Sequence, residues 1–287
     1  MVYNVGVTRE LRPGLGVSAN YYHRKYYDIP YTTDLTKPID GPSSVWTPYQ
    51  VPDPRGNGQT VTVYNIAPAA LQTVNQLDRT SPNNSAAFHS VDFGINLRLT
   101  NGAFMQGGTA TGLSWTSICD LPDPNSYIGD FPLTATLAGG RRYCDQRQFH
   151  IPWRTNFKLS GAYPLPFGLR ASAVFQSTAG DPLIYNWVLT SAALKALTGV
   201  TFSQASINVF PLNEPGSQYY DRINQLDFTI ARTFKARTWR IAPEVSFFNM
   251  LNANPVYLQT TAVGPSLGTP SRILEARLIR FGLQARF

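Results

Sequence analysis

The sequence predicts an all-β chain, an antiparallel transmembrane β-barrel segment of about nine long strands, and three observations carry that prediction. The first is the carboxyl-terminal strand. Ile279, Phe281, Leu283, Ala285 and Phe287 are apolar, and Arg280, Gly282, Gln284 and Arg286 stand between them. A period of two places the two sets on opposite faces of one strand. The second is the recurrence of this pattern upstream. The third is a regular alternation of short and long connections. A soluble sandwich can hold one such strand, whereas a membrane barrel needs a series, because lipid covers one face and water or a plug the other.

The strands fall at roughly 2–10, 14–27, 87–100, 102–114, 149–163, 167–178, 221–234, 237–250 and 272–287. In the second, Leu15, Val17, Ala19 and Tyr21 oppose Gly16, Ser18 and Asn20. In the third, Val91, Phe93, Ile95, Leu97 and Leu99 alternate with Asp92, Gly94, Asn96, Arg98 and Thr100. In the sixth, Phe167, Leu169, Ala171, Ala173 and Phe175 alternate mainly with Gly168, Arg170, Ser172 and Gln176, and Val174 interrupts the polar row. Leu226, Phe228 and Ile230 oppose Asp227, Thr229 and Ala231; Trp239, Ile241, Val245 and Phe247 oppose Arg240, Ala242, Glu244 and Ser246. The polar phase carries Arg98, Lys158, Arg170, Asp227, Arg240, Glu244 and Arg280, which are expected to face a lumen.

Short connections fall at Leu11-Arg12-Pro13, around Asn101, at Pro164-Leu165-Pro166 and at Lys235-Ala236. Long ones run over about 28–86, 115–148, 179–220 and 251–271. Long loops count against a compact soluble domain but suit the external side of a barrel, with the short turns on the periplasmic side. Nine strands would leave the first and last parallel, and single-chain bacterial barrels have even strand numbers. The expectation is that residues 1–287 are the C-terminal portion of a larger barrel. Met1-Val2-Tyr3-Asn4-Val5-Gly6-Val7 has none of the parts of a signal peptide and reads directly as a strand, so the expectation is either a fragment or a wrongly started reading frame.

Within the loops, Pro52-Asp53-Pro54-Arg55-Gly56-Asn57-Gly58 is a turn cluster leading into a β run, Thr60-Val61-Thr62-Val63-Tyr64, that predicts a hairpin. Leu121-Pro122-Asp123-Pro124-Asn125 is a second turn. Thr190 to Leu197 predicts a short helix capped by Thr190 or Ser191.

Charged residues make up only 14% of the chain, against roughly 25% in an ordinary soluble domain. Aromatics reach 13%, as a polar-lined wall with interfacial girdles requires. Lacking an apolar run of about 18 residues, the sequence has no helical membrane span. The net charge of +7 is scattered along the chain, and its densest cluster, Arg141-Arg142 with Arg147, lies in a loop. That distribution points to lumen and turn residues and to no nucleic-acid partner.

Cys119 and Cys144 share one external loop, so a disulfide is expected in an oxidising compartment, stabilising by roughly 3 kcal/mol. His23, His89 and His150 lie far apart near outer strand ends and read as isolated rim histidines, with no metal site. No nucleophile elbow, phosphate-binding glycine loop or paired-histidine motif is present. Asp227 and Glu244 could form a carboxylate pair, but salt bridges with Arg240 and Arg280 are the expected use, so no catalytic or cofactor site is assigned. Tyr21-Tyr22, Tyr26-Tyr27, Tyr219-Tyr220, Phe247-Phe248, Trp153, Trp187 and Trp239 suit the headgroup level, with sugar-binding platforms as the sharper alternative for the outermost tyrosines.

The segment from Gln225 to Phe228, then Phe234, then Trp239 through Phe248-Asn249-Met250-Leu251-Asn252, resembles the end of the barrel in TonB-dependent outer-membrane transporters. Arg277 through Phe287 resembles the family's arginine-rich closing strand. The closer likeness is to the Oar-like branch, whose mid-barrel hairpins resemble Asn4 to Leu11 and Gly16 to Arg24. The resemblance implies a barrel of about 22 strands, a location in the cell outer membrane, and import of a scarce substrate driven through TonB. Phe248, Asn249 and Asn252 are then family-pattern structural positions, and Phe287 a terminal signal for the barrel-assembly machinery. Other implied partners are outer-membrane lipid, an N-terminal plug and barrel half outside these residues, and TonB only through that part. The alternatives are a passive porin, an outer-membrane structural or adhesion protein, and a secreted soluble all-β fold.

Overall fold

The long two-faced runs become β1 (Val2–Arg12), β2 (Leu15–Tyr26), β3 (Ser85–Arg98), β4 (Phe104–Ser117), β5 (Arg154–Pro164), β6 (Leu169–Thr178), β7 (Ile223–Arg232), β8 (Trp239–Phe248) and β9 (Leu278–Arg286). The computed structural model describes residues 1–121, 123–128, 136–138 and 141–286. Among these, every wall strand pairs antiparallel with its sequence neighbour in one sheet from β1 to β9. A short strand, Phe234–Ala236, pairs with β8 in the register of β7, so it prolongs β7 after an interruption. Pro243 falls in that interruption and has no N–H to donate to the ladder.

Register keeps the two faces separate across the sheet. Ala19↔Phe93, Val17↔Ile95, Leu159↔Phe175, Phe175↔Leu226, Phe228↔Phe247 and Val245↔Phe281 stack apolar side chains on one face. Asn20↔Asp92, Lys158↔Gln176, Ser172↔Thr229 and Ser246↔Arg280 fall on the other. β4 is the least regular strand: its apolar-face positions include Gly107, Thr109 and Thr111, and the Thr111 and Thr155 hydroxyls are 2.9 Å apart there. Among the described residues, nothing covers the apolar face. Phe93 is 58% exposed, Phe281 79% and Leu283 70%.

The four short turns lie at one end of the sheet. The first rests on Gly14, whose φ of +81° suits glycine; a Cβ there would also run into the Arg98 carbonyl. Glu10 Oε1 accepts the Gly14 N–H at 2.9 Å. Two expected boundaries shift. Lys235-Ala236 is paired strand, and the turn comes after it at Arg237, with φ of 53°. Phe167 does not open the sixth strand; it has φ of 63° in the 3₁₀ turn Pro166–Gly168 and is 85% exposed.

At the opposite end, the connections fold into a layer of their own. Residues 27–84 form two hairpins, Ile29–Asp34 with Gln76–Ser81 and Trp46–Pro52 with Thr60–Ile66. Residues 179–222 contain Trp187–Thr190 paired with Ser206–Val209, and a helix, α1 (Ser191–Thr198), between them. Thr190 Oγ1 caps α1 by accepting from the Ala193 N–H at 3.2 Å, and Gly199 ends it in the left-handed conformation. Val51, Val61, Val63, Leu189, Leu194, Ile207 and Leu212 from these two connections bury one another, and Val263 from the last connection packs against them. Among the described residues, the largest packed apolar cluster therefore lies above the sheet and not between its strands.

The wall is open at both sides among the described residues. β1 pairs only with β2, and β9 only with β8. β1 is exposed throughout its length.

Candidate functional site

The polar face and the loop layer meet around Arg154, the first residue of β5. Two cavities of about 360 and 930 Å³ adjoin there and share Phe88, Ser114, Gln146, Arg154, Asp181, Pro182 and Ile184. Ser90, Ala110, Gly112 and Asn156, all in the polar phase, supply the floor of the smaller one. Its roof comes from the chain around 179–184 and 211–219. Gly112 keeps the floor low, since a Cβ there would approach the Phe88 ring at 3.3 Å.

Arg154 holds the roof to the floor. Its Nη2 donates to the Ala179 carbonyl at 3.1 Å and to the Gly180 carbonyl, and it meets exposed Asp181 at 3.3 Å. The exposed ion pair adds little on its own. The guanidinium also sits 5.3 Å from the Tyr219 ring centroid. Burial pushes the Tyr219 phenol up, and the Arg154 charge opposes that shift without cancelling it. Arg154 Nε is buried with no protein acceptor. A cationic N–H in that state favours a ligand oxygen or water opposite it.

The seven charged residues expected at the lumen share the polar face by register, but they do not form one cluster. Arg280 Nη2 meets Glu244 Oε1 at 3.4 Å, the expected kind of bridge. Asp227 and Glu244 are not opposed, so no carboxylate pair exists: Asp227 accepts from Gln225 Nε2 at 3.0 Å and from the Asn249 N–H at 2.9 Å. Arg240 is not beside either carboxylate in register; it lies between Lys235 and Arg286, three cations in one row near the short-turn end. Arg98, Lys158 and Arg170 are exposed on the same face.

Cys119 and Cys144 form a disulfide with Cα atoms 4.9 Å apart. The basic cluster beside it is internally matched: Arg141 binds Asp40, Arg142 lies 3.7 Å from Asp53, and Arg147 binds Asp145 at 2.7 Å. Asp53 is fully buried; burial raises its pKa, but hydrogen bonds from Arg55 outweigh that and hold it below the ordinary value.

Phe248, Asn249 and Asn252 form the rim where β8 ends. Asn249 has φ of 48° and is 3% exposed; its side chain donates to the Ala253 carbonyl at 2.8 Å and the Glu275 carbonyl at 2.7 Å, and accepts the Ala253 N–H at 3.0 Å. Asn252, with φ of 52°, accepts the Arg277 N–H at 3.1 Å. Arg280 lies over the Phe248 ring at 5.3 Å. Phe287 lies outside the described residues.

Two sequence expectations need correction. His23 and His89 are not isolated: they face each other across β2 and β3, with Nδ1 atoms 3.2 Å apart. Trp187 and Tyr219 are not girdle residues, since Trp187 packs on the loop core and Tyr219 lines the Arg154 cavity. Among the described residues, no group of three His, Cys, Asp or Glu side chains could hold a metal. No described helix is long and apolar enough to cross a membrane, which says nothing of strands.

No protein-family model and no curated protein matches the chain. Among solved structures, it is similar to the outer membrane transporter YddB from Escherichia coli at 12% identity, with a TM-score of 0.45. The alignment covers 99% of this chain and 32% of that one, so the chain spans about a third of that protein's length.

Proposed function

We propose that residues 1–287 are the C-terminal wall of a TonB-dependent outer-membrane transporter, with substrate captured in the cavity between the polar face and the loop layer. The observation that carries this reading is the placement of apolar residues. Among the described residues, the sheet presents an uncovered apolar face and a polar face bearing the charges, and the packed apolar clusters lie at the loop end. A soluble sandwich would put its core against the sheet. A barrel wall leaves that face to lipid and sends its long loops outside. Import of a scarce substrate, the plug, the remaining strands, TonB coupling through the missing part and assembly through Phe287 belong to the same proposal. They rest on the motif resemblance around Phe248, Asn249 and Asn252.

The membrane reading is tested by placing an arginine on each face. Phe93→Arg puts a charge toward lipid, at a cost of about 2–4 kcal/mol near the bilayer midplane, and should sharply reduce the heat-modifiable folded fraction in outer membranes. Asn96→Arg puts the same charge on the polar face and should leave it near wild type. Equal folded yields, or a monomer that folds without detergent, would reject the reading. The coding DNA upstream separates the transport classes. An in-frame plug and TonB box supports import, whereas a signal peptide directly before β1 supports a small porin or adhesion barrel.

A further inference from the structure

Register places His23 of β2 directly opposite His89 of β3, on the apolar face near the loop end of the wall. Both rings turn Nδ1 to the same point. The two nitrogens are 3.2 Å apart, and the ring centroids are 4.5 Å apart. Tyr21 Oη stands 3.0 Å from His89 Nδ1. Tyr3 stacks on His23 at 5.9 Å, and Trp153 lies 6.4 Å from His89, so aromatic rings hold the pair from two sides.

Without a ligand, the two nitrogens share a single proton in one hydrogen bond, and the Tyr21 hydroxyl competes for His89 Nδ1. A metal ion fits the same point. At nitrogen–metal distances of about 2.0–2.1 Å, two donors 3.2 Å apart subtend an angle of about 100°, close to that of adjacent ligands on a tetrahedral ion. No third His, Cys, Asp or Glu joins them among the described residues, so the donors are two neutral nitrogens, a phenol oxygen and water. That set suits copper(II), nickel(II) or zinc(II) and disfavours calcium and magnesium, which need several anionic or carbonyl oxygens. Both histidines are only partly buried and lie within four residues of the loop ends of β2 and β3, so water and ions reach them from that end.

We propose that His23 and His89, with Tyr21 as an additional donor, form a surface site for a borderline divalent cation. The proposal rests on strand register and ring geometry. It does not require the transporter reading, because the site lies on the face away from the Arg154 cavity.

Copper(II) titrated into the full chain, folded in detergent micelles with its N-terminal amine acetylated, supplies the test. The expected result is one copper per chain with a two-nitrogen hyperfine pattern in electron paramagnetic resonance, and competition by zinc(II). His23→Gln and His89→Gln should each remove that pattern and weaken binding roughly tenfold or more. His150→Gln should leave both unchanged. Far-ultraviolet circular dichroism shows whether each variant keeps its sheet; if one fails to fold, the other carries the test. Copper bound by the folded histidine variants as tightly as by wild type, or no binding by wild type at micromolar copper, would overturn the site and leave the pair a proton-sharing hydrogen bond.

Discussion

The carboxylate of Asp227, within β7, accepts the backbone N–H of Asn249, just beyond the end of β8, at 2.9 Å. This bond helps set the first residue of the return to β9 in a left-handed conformation. From there the Asn249 amide reaches Ala253 and Glu275, and Asn252 takes the Arg277 N–H. Two asparagines thus join both ends of a long connection immediately before the last strand. Asparagine tolerates positive φ and carries both a donor and an acceptor, which explains why this residue type occupies both positions.

Asn249→Ala should therefore lower the unfolding free energy by about 1–3 kcal/mol, because it removes three hydrogen bonds to partly buried backbone groups and leaves alanine at a strained φ. Asn252→Ala should cost less, since Asn252 is exposed. Urea midpoints followed by tryptophan fluorescence would measure both. A loss below about 0.5 kcal/mol for Asn249→Ala, the range of ordinary surface changes, would show that the turn holds without its side chain.

The disulfide closes the second long connection, between β4 and β5, onto the end of β4. The Ile118 N–H donates to the Cys144 carbonyl at 2.8 Å, and Ile118 and Leu121 pack with Ile29 and Ala86. The double variant Cys119→Ser, Cys144→Ser should lose roughly 3 kcal/mol in the chain-entropy account. Reductant should shift the wild-type midpoint by a similar amount and leave the double variant unaffected. A wild-type midpoint indifferent to reductant would remove the bridge from the stability argument.

Arg154 and Gly180 should act as a unit. A Cβ on Gly180 would collide with the Tyr220 carbonyl, and the Gly180 carbonyl is itself an Arg154 acceptor. Gly180→Ala and Arg154→Met should each speed hydrogen exchange at residues 179–184 while leaving exchange in β1 and β2 unchanged. If exchange at 179–184 matches wild type in both variants, the roof of the cavity does not depend on this arginine.

Much of the wall was legible because strand periodicity is local: Phe93 and Asp92 announce opposite faces by adjacency alone. Boundaries failed where long-range pairing decides them. Residues 272–273 read as part of the last strand, yet Pro270–Ile273 pairs with Val256–Gln259 inside the loop layer, and β9 begins at Leu278. The fifth strand begins at Arg154 and not at 149, after Pro152 and the 3₁₀ turn Gln146–Gln148. The Thr190 cap and the Thr60–Ile66 strand were visible from local chemistry. The packing of Val51 with Leu194 and Leu212 was not, because no period links residues on separate connections. For the same reason His23 and His89 read as isolated: their meeting depends on a register set across the whole 27–84 connection.

Acid should loosen the base of the loop layer through Asp145. Its carboxyl accepts hydrogen bonds from Arg147 Nε at 2.7 Å and Nη2 at 2.8 Å, and these outweigh burial to bring its pKa down from 3.8 to about 2. A folded pKa below the unfolded value means that the ionised form favours the fold. The contribution is fully present above the unfolded pKa near 3.8 and is lost as pH falls through about 2. Arg147 also lies over the Trp115 ring at 5.7 Å, which places a fluorophore beside the pair. Arg147→Met removes the hydrogen bonds and the charge, so the Asp145 pKa should rise and the variant should be less stable than wild type at neutral pH. That stability gap should shrink as pH is lowered from 4 toward 2, because wild type loses the same contribution there. Other carboxylates, including Asp34 and Asp53, are also held low, so the informative quantity is the difference between the two proteins. Trp115 emission during urea unfolding at each pH would supply it, and a gap that stays constant across that window would rule out Asp145 as the titrating group.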